Sequence, residues 1–221
     1  MRTSFHEQLA ESEGLVVETA GIVLQQIERT LRTLETRDPA LADVVISGDD
    51  LVDERHLEIQ ATVLQLFATQ APVASDLRLL SAMLHINIHL ERMADLCTNI
   101  AKIVKATAEG PYSEEIVREL VEMGGQAGRM LDCAIQAFAK RDLDVALSLP
   151  AMDESIDRLN RSLFKQVVHK FAGDEEEVEW GSRMVIAARQ LERMGDHAVD
   201  IAEQVAFMIT GEFREFTDAS H

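Results

Sequence analysis

Proline and aromatic residues are nearly missing from this sequence, with 4 prolines in 221 residues and aromatics at 5%. A sheet-rich domain draws heavily on aromatic and β-branched side chains and punctuates its strands with turn residues, so a sandwich or barrel is excluded. Cysteine is also scarce. Cys97 and Cys133 are the two present and do not form a CxxC pair, which leaves no disulfide scaffold or cysteine zinc ribbon and fits buried thiols in a reducing compartment. Long apolar runs are absent too, because the most apolar segment, residues 77–90, is broken by Arg78, His85, Asn87 and His89; a membrane-spanning helix needs about 20 apolar residues in succession. The first residues, Met1 to Gln8, lead into further acidic sequence without the apolar core of a signal peptide. A soluble, cytoplasmic protein is expected.

Positive charge is the last shortage. Lysine and arginine total 21 against 39 acidic residues, for a formal charge of −18. Such a field repels phosphate backbones and anionic lipid, so nucleic acid and direct membrane insertion are excluded, while cations and basic protein patches are favoured. No P-loop, dinucleotide-binding glycine pattern or nucleophile elbow occurs. Di-iron oxidase bundles require Glu-x-x-His on two helices; no histidine here follows a glutamate at that spacing, and only Asp53-x-x-His56 and Asp218-x-x-His221 come near it.

What remains is a hydrophobic content of 47%, rich in good helix formers at helical spacing, and this predicts an all-α fold. The chain also repeats itself. Leu90-Glu91-Arg92-Met93-Ala94-Asp95-Leu96-Cys97-Thr98-Asn99-Ile100-Ala101 returns 101 residues later as Leu191-Glu192-Arg193-Met194-Gly195-Asp196-His197-Ala198-Val199-Asp200-Ile201-Ala202. A tandem duplication follows. The strongest punctuation, Gly110-Pro111, places the boundary between a repeat at residues 1–109 and a second at 110–221.

Apolar stripes predict a long first helix from Phe5 to near Arg37, a short helix over 39–46 broken at Ser47-Gly48, a long helix from Asp49 to about residue 70, and a third over 73–108. The second repeat follows the same plan: a fourth helix whose Gly124, Gly125 and Gly128 allow close approach, an Arg141-Asp142 corner matching Arg37-Asp38, and a short helix closed by Pro150. A fifth helix over 151–171 and a sixth from Glu175 to about residue 209 complete it. Glu175, Glu176 and Glu177 read as the solvated first turn of that helix, and the tail from Gly211 is expected to fray. The product is two three-helix bundles related by pseudo-two-fold symmetry.

Acidic residues recur at duplicated positions upstream of the repeated stretch, Asp49 and Asp53 in one half and Asp153 and Asp157 in the other. Residues four apart share a helix face about 6 Å apart along the axis, so Asp49/Asp53, Glu91/Asp95, Asp153/Asp157 and Glu192/Asp196 each present two carboxylates to one side. In the first repeat, Asp49/Asp95 and Asp53/Glu91 are both centred on Pro72; in the second, Asp153/Asp196 and Asp157/Glu192 are both centred on the Gly173-Asp174 turn. Each set therefore stands level across an antiparallel hairpin. Four facing carboxylates repel unless protonated or neutralised, and they form an all-oxygen site for a divalent or trivalent metal ion, including a bridged cluster. Asn99 and Asp200, one turn further along, extend the two sites. The competing reading makes the acids ordinary ion-pair partners of Arg55, Arg92, Arg158 and Arg193. His197, whose counterpart is Leu96, reads as a lone surface or ion-paired histidine, and the His85/His89 pair as structural.

On these motifs, over about residues 5–210, the chain resembles the PhoU family of phosphate-responsive regulators. The resemblance implies two three-helix bundles and metal clusters held by E(D)-x-x-x-D motifs, carried here by Asp49, Asp53, Glu91, Asp95, Asp153, Asp157, Glu192 and Asp196, with iron, zinc or magnesium as candidate ions. The first copy departs in having Ala94-Asp95-Leu96 for Gly-Asp-His, and the second in having Asp200 for Asn. It implies negative regulation of phosphate uptake and of phosphate-starvation signalling, through the ATPase subunit of the phosphate-specific ABC transporter and a sensor histidine kinase, by a homodimer without catalytic turnover. The alternative is a carboxylate-bridged metal storage protein or metalloenzyme bundle.

Overall fold

The computed structural model describes residues 2–171, 173, 175–213, 215 and 216. Six helices follow in order: α1 (Arg2–Thr36), α2 (Pro39–Gln70), α3 (Ser75–Ala106), α4 (Glu114–Lys140), α5 (Leu143–Lys170) and α6 (Glu175–Thr210). Within each repeat the three helices pack on one another, and the repeats join through α1 against α4 and α3 against α6. One continuous apolar core runs through both.

The Arg-Asp corner is built twice on the same plan. Arg37 and Arg141 take left-handed backbone at φ 55° and 57°. Asp38 and Asp142 then cap the next helix, accepting from the amides of Ala40 and Val145.

Two expected breaks are corrected. Ser47-Gly48 does not interrupt α2, and Pro150 lies inside α5, so each repeat has one long second helix instead of a short and a long one. A mid-helix glycine costs about 1 kcal/mol and a proline about 3 kcal/mol relative to alanine. Burial of Val45, Val52 and Ile59 on α2, and of Leu149, Ile156 and Leu163 on α5, contributes about 1.5–3 kcal/mol per side chain and keeps both helices continuous. Gly48 also faces the Gln26 side chain, 3.3 Å from where a Cβ would stand.

Contacts along the seams fix helix directions. Arg78 Nε donates to the carbonyl of Met208 and His89 meets His197: eleven residues forward on α3 are matched by eleven backward on α6, so these helices are antiparallel. On the other seam only one of the three expected glycines makes a close approach. A Cβ on Gly124 would lie 2.2 Å from Leu31 Cδ2 and 3.1 Å from Leu191 Cδ2, whereas Gly128 has ordinary clearance from Ile27 and Gly125 meets only Arg129 of its own helix.

Cys97 is fully buried, which pushes its thiol up to about 12, and Cys133 is half-buried; both are free. Glu175 and Glu176 are exposed, as a solvated first turn requires, whereas Glu177 is half-buried. Past α6, Phe213 stacks on Phe207 at 3.9 Å and the Phe216 amide donates to Glu203, so this part of the tail folds back; Asp174, Arg214 and residues 217–221, including Asp218 and His221, lie outside the described residues. Among the described residues no helix is long and apolar enough to cross a membrane.

Candidate metal centres

The α2–α3 hairpin takes its register from a buried asparagine. Asn87 Nδ2 donates to the His56 carbonyl at 2.9 Å, and its own carbonyl lies 3.4 Å from His56 Nδ1. Three residues back along α2 stands Asp53 and four residues forward along α3 stands Glu91; another turn in each direction brings Asp49 and Asp95. The expected level arrangement across Pro72 is therefore present to within one residue.

The other three carboxylates all act on Asp49. Asp49 is pushed up to about 6, first by burial and then by the negative charges of Asp95, Asp53 and Glu91, with the Thr98 hydroxyl working the other way. Arg92 approaches both Glu91 and Asp95 at 3.4 Å. Asn99 is exposed one turn beyond Asp95 and is not among the groups that act on Asp49.

In the second repeat Gly195 sets the depth of the site. A Cβ there would lie 2.3 Å from Asp153 Oδ1 and 3.0 Å from Ile156 Cδ1, and Gly181, fourteen residues earlier, makes the same kind of approach to Val167. Asp153 is accordingly buried at 5% exposure. Its counterpart Asp49, in the repeat with Ala94 at the glycine position, is only half-buried.

Glu192, at 7% exposure, pairs through Oε1 with Arg189, while its Oε2 is buried without a hydrogen-bond partner. Burial, followed by the charges of Asp196 and Asp157, pushes its carboxyl up to about 7, against the pull of Arg189 and Arg193. Asp196 is also raised, by burial and then by Asp157 and Asp200, with Arg189 and His197 opposing. Asp157 pairs with Arg161 at 3.6 Å.

The expected arginine partners are therefore half right. Arg92 and Arg193 act on the clusters, but Arg55 pairs with Glu58 and Arg158 with Glu154 along their own helices. Arg189 and Arg161 take their places, each reachable from sequence as an i,i+3 or i,i+4 neighbour of an acid.

A third constellation was not expected. His89 on α3 and His197 on α6 face each other, Nδ1 to Nδ1 at 3.2 Å, and Asp200 Oδ2 lies 3.4 Å from the first and 3.5 Å from the second. Burial drives His89 down to about 4, with Asp200 opposing and His197 and His85 reinforcing the shift, so its ring is neutral at ordinary pH. His89 finds its partner across the repeats rather than in His85, and His197 stands at ion-pair distance from Asp200, one of the two readings expected of it, while also facing His89. Asp200 turns to these imidazoles while remaining close enough to act on Asp196.

The chain matches the model of the PhoU domain twice, over residues 16–104 and 120–205. It belongs to the PhoU family. A phosphate-specific transport system accessory protein PhoU homolog of Clostridium acetobutylicum is 29% identical over 218 residues, covering 98% of this chain and 99% of that one. The homolog of the same name from Caulobacter vibrioides is 31% identical over 209 residues, covering 95% and 91%. Crystal structures of PhoU from Pseudomonas aeruginosa and of the phosphate transport system regulatory protein PhoU from Streptococcus pneumoniae superpose with TM-scores of 0.89 and 0.88, at 29% and 28% identity, covering 94% and 96% of this chain and all of theirs. The two-repeat, six-helix PhoU architecture read from sequence is the architecture found.

Proposed function

We propose that this chain is an accessory regulator of phosphate-specific transport, a metal-binding adaptor that restrains phosphate uptake and phosphate-starvation signalling and turns over no substrate. The observation that carries the reading is likeness over the whole chain to proteins named for that accessory role, with both duplicated carboxylate hairpins present. Its partners are the ATPase subunit of the phosphate ABC transporter and the phosphate-sensing histidine kinase, and it acts in the cytoplasm as a homodimer. Long helices supply broad docking faces, and a charge of −18 steers them to basic patches.

The all-oxygen donor sets suit magnesium and iron best and also accept zinc through carboxylate oxygen. Asp49, Asp53, Glu91 and Asp95, with Asn99 at the edge, would hold one group, and Asp153, Asp157, Glu192 and Asp196, with Asp200 at the edge, the other. Glu192 Oε2, buried and without a hydrogen bond, is the kind of oxygen a cation satisfies. Bound metal would supply positive charge that draws the hairpin carboxylates together. Deleting the gene tests the regulatory reading: phosphate-starvation genes should be expressed even in high phosphate, and continued repression would overturn it. Metal content by elemental analysis should fall in Asp95→Ala and Asp196→Ala variants; hydrolase or oxidase turnover lost in Glu192→Ala would favour a metalloenzyme instead.

A further inference from the structure

The seam between the repeats carries a ligand set that neither hairpin contains. His89 Nδ1, His197 Nδ1 and Asp200 Oδ2 form a triangle with sides of 3.2, 3.4 and 3.5 Å, and they make up a group of metal-ligating side chains whose donor atoms all lie within 4.8 Å of one another. Zinc bonds to imidazole nitrogen and carboxylate oxygen are about 2.0–2.2 Å long, and in a tetrahedron this places neighbouring donors about 3.3–3.6 Å apart. The triangle already has the size of one tetrahedral face.

From this we propose that His89, His197 and Asp200 form a third metal site, of the two-histidine, one-carboxylate type, which takes a zinc-class transition ion and staples the two repeats together. Two imidazoles with one carboxylate select a borderline ion such as Zn²⁺ over Mg²⁺ or Ca²⁺, which prefer all-oxygen shells. The three residues supply one face of the tetrahedron, and water completes the shell.

Three features separate this site from the carboxylate hairpins. Its donors come from both repeats, α3 and α6, whereas each hairpin set comes from one. Two of its donors are imidazoles, which neither hairpin set has, and the buried His197 Nε2 makes no hydrogen bond, so the polar contacts of that ring are concentrated at Nδ1. Among the described residues the site also occurs once. The pseudo-two-fold operation carries His89 to Gln190, His197 to Leu96 and Asp200 to Asn99, a set with no imidazole and no carboxylate. Of its three donors only Asp200 was expected near metal, and none of the eight hairpin carboxylates is needed.

Zn²⁺ titration of the full-length, chelator-treated protein against a chromophoric competitor tests the site. Beyond any ion held by the carboxylate hairpins, one tight equivalent is expected, weakened at least tenfold in His89→Gln and in His197→Gln and retained in Asp53→Asn, which alters a hairpin set alone. Because a buried histidine variant can misfold, imidazole nitrogen resonances of the wild-type protein give a second measurement: Zn²⁺ should fix both rings with metal on Nδ1 and the proton on Nε2. Co²⁺ should give the intense visible bands of tetrahedral coordination. No Zn²⁺ binding, binding indifferent to both histidine substitutions, or unchanged imidazole resonances at saturating Zn²⁺ would overturn the proposal. Loss of the equivalent in Asp53→Asn with retention in the histidine variants would assign Zn²⁺ to the hairpin and overturn it equally.

Discussion

Asp153 occupies the space that a side chain on Gly195 would fill, its Oδ1 lying 2.3 Å from the position of the missing Cβ. Gly195→Ala should therefore push Asp153 off the face of α6. Overpacking of this kind costs about 1–3 kcal/mol, and thermal unfolding should register it as a lower Tm. Metal bound at the second hairpin should fall too, while the reverse substitution in the other repeat, Ala94→Gly, should cost only about 1 kcal/mol of helix propensity.

Glu192 predicts the pH dependence of the metal-free protein. Its carboxyl is raised to about 7 from 4.5, so the folded state holds a proton that the unfolded state has released. Stability from this group is fully present below about pH 4.5 and is lost as pH rises through about 7. Asp49, raised to about 6 from 3.8, has the same sign over a lower window. His89, lowered to about 4 from 6.5, has the opposite sign: its contribution is present above pH 6.5 and lost as pH falls towards 4. In the presence of chelator, Tm should therefore rise between pH 8 and 6.5, and Glu192→Gln should flatten that rise, raising Tm at pH 8 by about 2–4 °C per kcal/mol of repulsion removed. An unchanged slope in Glu192→Gln would show that another group sets it.

The left-handed corner residues make a paired prediction. Arg37 donates to the carbonyls of Thr107 and Gly110 and lies over Tyr112, while Arg141 pairs with Glu13. Alanine at either position loses those contacts and keeps the backbone strain; glycine loses the contacts but relieves the strain, which is worth about 1 kcal/mol. Denaturant unfolding should rank arginine above or level with glycine, and glycine above alanine, at both corners.

Pro150 lacks the amide that would donate to Ala146 within α5. Pro150→Ala restores this hydrogen bond and should stabilise the protein by about 1–3 kcal/mol, visible as a higher denaturation midpoint at an unchanged m-value.

The hairpin carboxylates were legible in the sequence because duplication displays them twice: each pair lies within one repeat, and its register follows from a turn that Pro72 marks locally. His89 and His197 were not legible for the same reason. Their contact crosses the pseudo-two-fold axis, so it joins different columns of the repeat, His89 in the column of Gln190 and His197 in that of Leu96. Comparing the halves cannot reveal such a pair; knowing that α3 and α6 run antiparallel would have, once the Arg78–Met208 contact set the register. Ser47-Gly48 and Pro150 misled because local breakers are weaker than the continuous apolar stripe that crosses them.

The seams of α1 with α4 and of α3 with α6 have a further consequence for how the molecule comes apart. One core spans both repeats, so a chain cut at the linker would leave each half with two uncovered apolar faces related to those of the other half. The natural resting state of such a half is self-association about a true two-fold axis, each copy offering its own α3 to the other. Unfolding of the intact chain should accordingly be a single cooperative transition, the two halves standing to each other as the subunits of a two-fold dimer do.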